Sequence, residues 1–143
     1  MNQNLSDLEY ALDNIVNVNG NYSGVEFEKS VADLLRMNGF LEVKITPYSG
    51  DYGVDIIAKY NNQKYVFQCK YYNNKNLGIK PIQEVFAGKT YYRADVAVVV
   101  TNIYFSQNAQ ILAKKTNVQL WDRSHLSKLL RSARRNQILP WLK

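Results

Sequence analysis

VDIIAKYNNQKYVFQCK, residues 54–70, sets two β-branched and aromatic runs on either side of a pair of asparagines. VDIIAKY and KYVFQCK read as strands, and Asn61 with Asn62 reads as a two-residue hairpin turn because asparagine tolerates positive φ. With that turn Tyr60 faces Gln63, and Asp55 lies directly across from Gln68. Opposed residues project from one face, and period two adds Lys70 to it. Ile57 and Val66 share the face farther along. An acid, an amide and a lysine therefore meet at one end of a mostly apolar surface. Polar groups placed this way are costly unless they meet water, metal or substrate. A structural Asp55–Lys70 ion pair at a sheet end, with Gln68 exposed, satisfies the same spacing, so both readings stand at this point.

Upstream, Ser23 and Glu26 form a capping box. The helix it opens carries Phe27, Val31, Leu34 and Leu35 at i, i+4, i+7 and i+8, one buried stripe, and Gly39 stops it. Farther back, the capping-box form of Ser6 to Glu9 predicts a short helix starting there, broken by residues 17–21. FLEVKIT (40–46) alternates Leu41, Val43 and Ile45 with polar residues, as a half-buried strand does. PYSGDYG (47–53) is loop material. Downstream, Pro81 fits the first turn of a helix with Ile82, Val85 and Phe86 on its buried side. VAVVVT (96–101) has the composition of a strand covered on both faces. SQNAQILAKK (106–115) reads as a helix and VQLW (118–121) as a short strand. SHLSKLLRSARR (124–135) is the last helix, with Leu126, Leu129 and Leu130 facing inward. The order helix, helix, three strands, helix, strand, helix, strand, helix predicts an α/β fold: a mixed sheet flanked by helices, antiparallel first and parallel later.

The chain has 143 residues, 46% hydrophobic and 21% charged, which suits one domain with a real core. No apolar run approaches the ~18 residues of a membrane span, and the acids in MNQNLSDLEY do not suit a signal peptide. A cytoplasmic location without membrane contact is the expectation. Cys69 is the only cysteine and His125 the only histidine. That excludes an internal disulfide and a cysteine-built zinc site, and leaves little material for histidine-based triads. The net charge of +6 is uneven. From Lys114 onward eight basic residues face Asp122 alone, a net +7. Such an end fits a polyanionic partner, and equally a solvated basic helix face. Lys128, Arg131, Arg134 and Arg135 fall at i, i+3, i+6 and i+7, a one-sided stripe that could track phosphates.

Four segments together carry a resemblance: SGVEFEKS (23–30), SGDYGVDIIA (49–58), VFQCKYY (66–72) and IQEVFAGK (82–89). In this order and spacing they resemble the Mrr-type endonuclease domains of the PD-(D/E)xK nuclease superfamily, in the branch whose third motif reads Gln-x-Lys. The resemblance runs from about residue 23 to residue 130. It implies a restriction-endonuclease-like αβββαβ core, with residues 1–22 as an N-terminal helical extension and 23–143 as the nuclease-like catalytic domain. It also implies site roles. Asp55 would be the principal metal ligand, and Gln68 would coordinate through its amide oxygen with the Cys69 carbonyl assisting. Lys70 would orient or activate the attacking water. Glu28 would reach the metal directly or through water, and Gln83 would lie near the site. Mg²⁺ or Mn²⁺ suits these oxygen donors.

Other residues read as structural. Glu26 is explained as a cap, Asp51 by turn formation, the Cys69 thiol as core, and His125 as structural or surface. The function expected is a metal-dependent DNA endonuclease of a restriction or modification-dependent defence type. A Holliday-junction resolvase-like nuclease and a non-catalytic DNA-binding module are the alternatives. Duplex cleavage needs two active sites, so a homodimer is expected. Mrr-type relatives usually attach a DNA-reading domain, so a separate specificity subunit is a further expectation.

Overall fold

The computed structural model describes residues 3–13, 22–47, 51–72 and 76–138, with backbone alone at 51 and 135–138. In chain order the elements are α1 (Gln3–Asp13), α2 (Gly24–Met37), β1 (Leu41–Ile45), β2 (Ile56–Tyr60), β3 (Gln63–Lys70), α3 (Lys80–Tyr91), β4 (Val96–Thr101), α4 (Gln107–Thr116), β5 (Val118–Trp121) and α5 (Arg123–Ile138). A single 3₁₀ turn, Asp51–Gly53, precedes β2. The strands lie in the order β1-β2-β3-β4-β5. β1, β2 and β3 are antiparallel neighbours, whereas β4 runs parallel to both β3 and β5. The predicted mixed sheet between helices is the fold observed.

Alternation along the strands divides the core between the two faces. Ile56, Ala58, Phe67, Cys69, Val98, Val100 and Trp121 pack under α1, α2 and α5. Val66, Ala97, Val99 and Val118 pack under α3 and α4. The β-branched run of β4, buried on both sides, is the spine of this three-layer arrangement. α1, within the stretch read as an extension, contributes Leu5, Leu8, Ala11 and Leu12 to the first core.

The hairpin forms as its asparagines dictate. Asn61 and Asn62 have φ of 51° and 62°, and Tyr60 pairs with Gln63. Ser23 and Glu26 form the capping box: Glu26 Oε1 accepts the Ser23 hydroxyl at 2.7 Å and its N–H at 3.3 Å. Gly39, at φ 92°, ends α2.

Three local expectations are corrected. α1 begins at Gln3 rather than Ser6, because its buried stripe already starts at Leu5. The simple alternation of β1 fails: Leu41 is 67% and Ile45 42% exposed. Glu42 adopts φ 50° and the pairing with β2 slips between Leu41 and Lys44, a bulge in an edge strand that exchanges its faces. Phe86 lies on the outer flank of α3, 44% exposed, because Pro81, Ile82, Val85 and Gly88 form the buried stripe instead.

Candidate active site

The site is built where the β2–β3 ribbon ends. The regular ladder stops at Ile56 opposite Phe67. One residue earlier, the Asp55 N–H also donates to Phe67 O, at 2.7 Å. The Asp55–Gln68 ladder pair expected from the turn therefore does not form. Thr46, just past β1, engages the carbonyls on this side: its N–H donates to Asp55 O at 2.9 Å, and its hydroxyl to Val54 O at 2.7 Å. The Cys69 N–H donates instead to Asp55 Oδ2, at 2.7 Å. The carboxylate is held by the backbone of the strand that carries Gln68 and Lys70.

Asp55 and Lys70 stand at this end, and Glu28 of α2 approaches from the other layer. Burial pushes the Glu28 carboxyl up to about 7, with the Asp55 charge adding to the rise and Lys70 opposing it. Burial also raises Asp55, while the Cys69 N–H and Lys70 pull it down and Glu84 pushes it up. Among the described residues no ion pair joins Lys70 to either acid. The ammonium acts on both through space without being closed off by one of them.

The chain after Lys70 is fixed from two sides. Tyr71 sets its ring 5.2 Å from Tyr22 and 5.5 Å from Phe27, the neighbour of Glu28. Asn102, 2% exposed, accepts the Tyr72 N–H at 2.9 Å and donates to Tyr72 O at 2.6 Å, extending the β3–β4 pairing by a side chain.

Gln68 is 4% exposed and faces α3. Its Nε2 donates to Glu84 Oε1 at 3.0 Å, and its Oε1 is buried with no hydrogen-bond partner among the described residues. An unsatisfied buried acceptor costs about 1–3 kcal/mol, which coordination of a cation removes. Carboxylate and amide oxygens are hard donors, the chemistry that suits Mg²⁺ or Mn²⁺. Among the described residues no three His, Cys, Asp or Glu gather as a metal cluster.

The other predicted residues fall as follows. Gln83 lies exposed on α3, and its neighbour Glu84, which the sequence reading missed, is the residue that reaches Gln68. The signal was available: at 100° per residue Gln83 lies about 160° from Val85, while Glu84 lies about 100° away, on the flank of the buried stripe. The Cys69 thiol sits in the core, where burial pushes its pKa up, and the part of Cys69 that meets the acid is its N–H. His125 stacks on Trp121 at 4.5 Å. Lys128 and Arg131 are exposed on α5, whereas Arg134 is ion-paired with Glu9 of α1. The Arg135 side chain and the side chain of Asp51 lie outside the described residues. A groove of about 820 Å³ between α4 and β5 contains none of the site groups.

A five-stranded mixed sheet between helices, with an acid and a Gln-x-Lys strand at its open end, defines a restriction-endonuclease-like domain. The chain belongs to the Mrr_cat restriction endonuclease family, whose profile matches residues 20–130. Among solved structures, a protein of unknown function, AF1548, aligns at a TM-score of 0.64 and 24% identity, covering 73% of this chain and 64% of its own. The DNA modification-dependent restriction endonuclease AspBHI aligns at 0.63 and 17% identity, covering 91% of this chain and 35% of its own. The restriction endonuclease MspJI, in complex with a 27-mer oligonucleotide, aligns at 0.56 and 19% identity, covering 94% and 32%. This chain thus spans about a third of the length of either endonuclease. No curated protein matches it significantly. Among the described residues no helix is long and apolar enough to cross a membrane.

Proposed function

We propose that the chain is the catalytic domain of a metal-dependent DNA endonuclease of a restriction or modification-dependent defence type. The observation that carries this reading is the Asp55 carboxylate, pinned by the Cys69 N–H within electrostatic reach of Lys70 and Glu28, on a ribbon whose Gln68 keeps a buried oxygen without a partner among the described residues. Asp55, Glu28 and Gln68 Oε1 are the groups that would hold Mg²⁺ or Mn²⁺. Such an ion, when bound, neutralises non-bridging phosphate oxygens and lowers the pKa of water. Asp55 contributes a carboxylate already oriented by the backbone. Lys70 supplies a positive charge, free of a carboxylate partner among the described residues, for the phosphate and the attacking water. The Glu28 carboxyl, near 7 in the metal-free chain, would give up its proton as it takes the ion directly or through water.

Lys128 and Arg131 are the exposed cations on α5 offered to the DNA backbone. The family match and the oligonucleotide complex of MspJI support DNA as the substrate. Cutting both strands calls for two such sites, so a homodimer belongs to the proposal, as does a specificity element on a separate segment or subunit.

The test offers plasmid, methylated plasmid and a four-way junction to the purified protein with Mg²⁺, Mn²⁺ or chelator. Asp55→Ala and Lys70→Ala run in parallel. Metal-dependent cutting of methylated or plain duplex, lost in both variants, is expected. Junction-selective symmetric cuts would move the assignment to a resolvase, and binding without cleavage to a non-catalytic module.

A further inference from the structure

We propose that Glu84 is a positioning residue that sets the orientation of the Gln68 amide and thereby turns its oxygen into a cation ligand. The inference rests on the nuclease reading of the same site.

The two ends of a glutamine amide have nearly the same shape, so packing alone does not choose between them. A carboxylate chooses, because it accepts and cannot donate. Glu84 Oε1, 3.0 Å from Gln68 Nε2, requires the amino end to face α3. The oxygen is then left on the other side of the amide, buried and without a partner among the described residues. Glu84 is itself held in place. A Cβ built on Gly53 would lie 2.6 Å from Glu84 Cβ and 3.0 Å from its carbonyl carbon, so the turn before Asp55 and the backbone of Glu84 are already in contact. Asp55, Gln68 and Glu84 therefore belong to one packed unit, in which the charge on Glu84 also reaches Asp55. A site built with an amide where an acid would need no orientation has in Glu84 the residue that removes the ambiguity.

The experiment is calorimetric titration of Mn²⁺ into the metal-free full chain, with and without a DNA duplex. Asp55→Ala is expected to abolish binding. Glu84→Gln, whose amide can donate to Gln68 as readily as accept from it, is expected to weaken binding about tenfold, the usual effect of losing an outer partner. In a Gln68→Met background only the through-space pull of the Glu84 charge remains, so the Glu84→Gln change is expected to weaken binding distinctly less than in the wild-type background. The exchanged pair Gln68→Glu with Glu84→Gln restores one donor facing one acceptor, so it is expected to recover binding to at least the wild-type level and to show that the substituted chain folds. Unchanged affinity in Glu84→Gln, with binding abolished in Asp55→Ala, would overturn the positioning role and leave the nuclease reading intact. An equal loss in the Gln68→Met background would make Glu84 a direct ligand and overturn the proposal. Binding indifferent to Asp55→Ala, or absent in the wild-type chain under both conditions, would overturn the nuclease reading itself.

Discussion

Gly53 and Glu84 touch at the level of their backbones: a methyl group on Gly53 would approach Glu84 Cβ to 2.6 Å and its carbonyl oxygen to 3.1 Å. Gly53 also sits at φ 64°, in the left-handed region. A matching contact lies one helical turn on, where a Cβ at Gly88 would collide with Tyr52 O and Val54 Cγ2. Two glycines thus let the turn before Asp55 lie directly on α3. Gly53→Ala is expected to cost about 2–4 kcal/mol, part left-handed strain and part overpacking. Urea unfolding measures it, and a loss below about 1 kcal/mol would mean that turn and helix separate easily.

The Asp55 carboxylate is buried at some cost to folding. Its pKa is raised by burial, so the fold disfavours the ionised form above its usual range. Asp55→Asn keeps an acceptor for the Cys69 N–H and removes the charge. Its thermal midpoint at pH 8 is expected to rise, while cleavage falls by at least about 10²-fold. A midpoint that drops would show that the Cys69 hydrogen bond and the attraction to Lys70 together outweigh burial.

Glu28 gives the metal-free protein a pH signature. Its folded pKa of about 7 exceeds the ordinary value of 4.5, so between these the native state binds more protons than the unfolded chain. Stability is expected to fall as pH rises from 4.5 to 7 and to level off above, by roughly 1 kcal/mol once solvent screening of this half-buried group is allowed for. Urea midpoints in chelator across this range check it. Glu28→Gln should flatten the slope, and a slope that survives places the titration elsewhere.

The cations of α5 divide by what they touch. Lys128 and Arg131 are exposed, whereas Arg134 is ion-paired with Glu9. Reversing the charge at Lys128 and Arg131 is expected to lower the salt slope of DNA affinity by about 1 for each phosphate that is no longer neutralised. Arg134→Ala is expected to leave that slope unchanged and to lower stability by at most about 1 kcal/mol. Fluorescence anisotropy across a salt series distinguishes them, and equal slopes in all variants would remove α5 from the DNA track.

Residue order alone made most of the architecture legible. The capping box at Ser23, the asparagine turn and the β-branched run of β4 each express a rule that operates within a few residues: a satisfied N–H, a permitted φ, an alternating face. Those rules fixed the element order and the hairpin register through Ile56. They failed where the cause was not local. Leu41 and Ile45 look buried by period, yet the bulge at Glu42 and the edge position turn them outward.

A hairpin drawn on paper puts Asp55, Gln68 and Lys70 on one ribbon, but the regular pairing stops at Ile56 and Asp55 takes the Cys69 N–H instead of facing Gln68. Glu28 reached the same end on family resemblance, and Glu84 was missed. Each stands on a helix from a different layer, and no spacing along the chain encodes how α2 and α3 lie over the sheet. Packing on the two cores, with Gly53 and Gly88 permitting backbone contact on one side, brings these acids to the ribbon's end. Long-range burial and sterics, summed over both faces, settle that convergence.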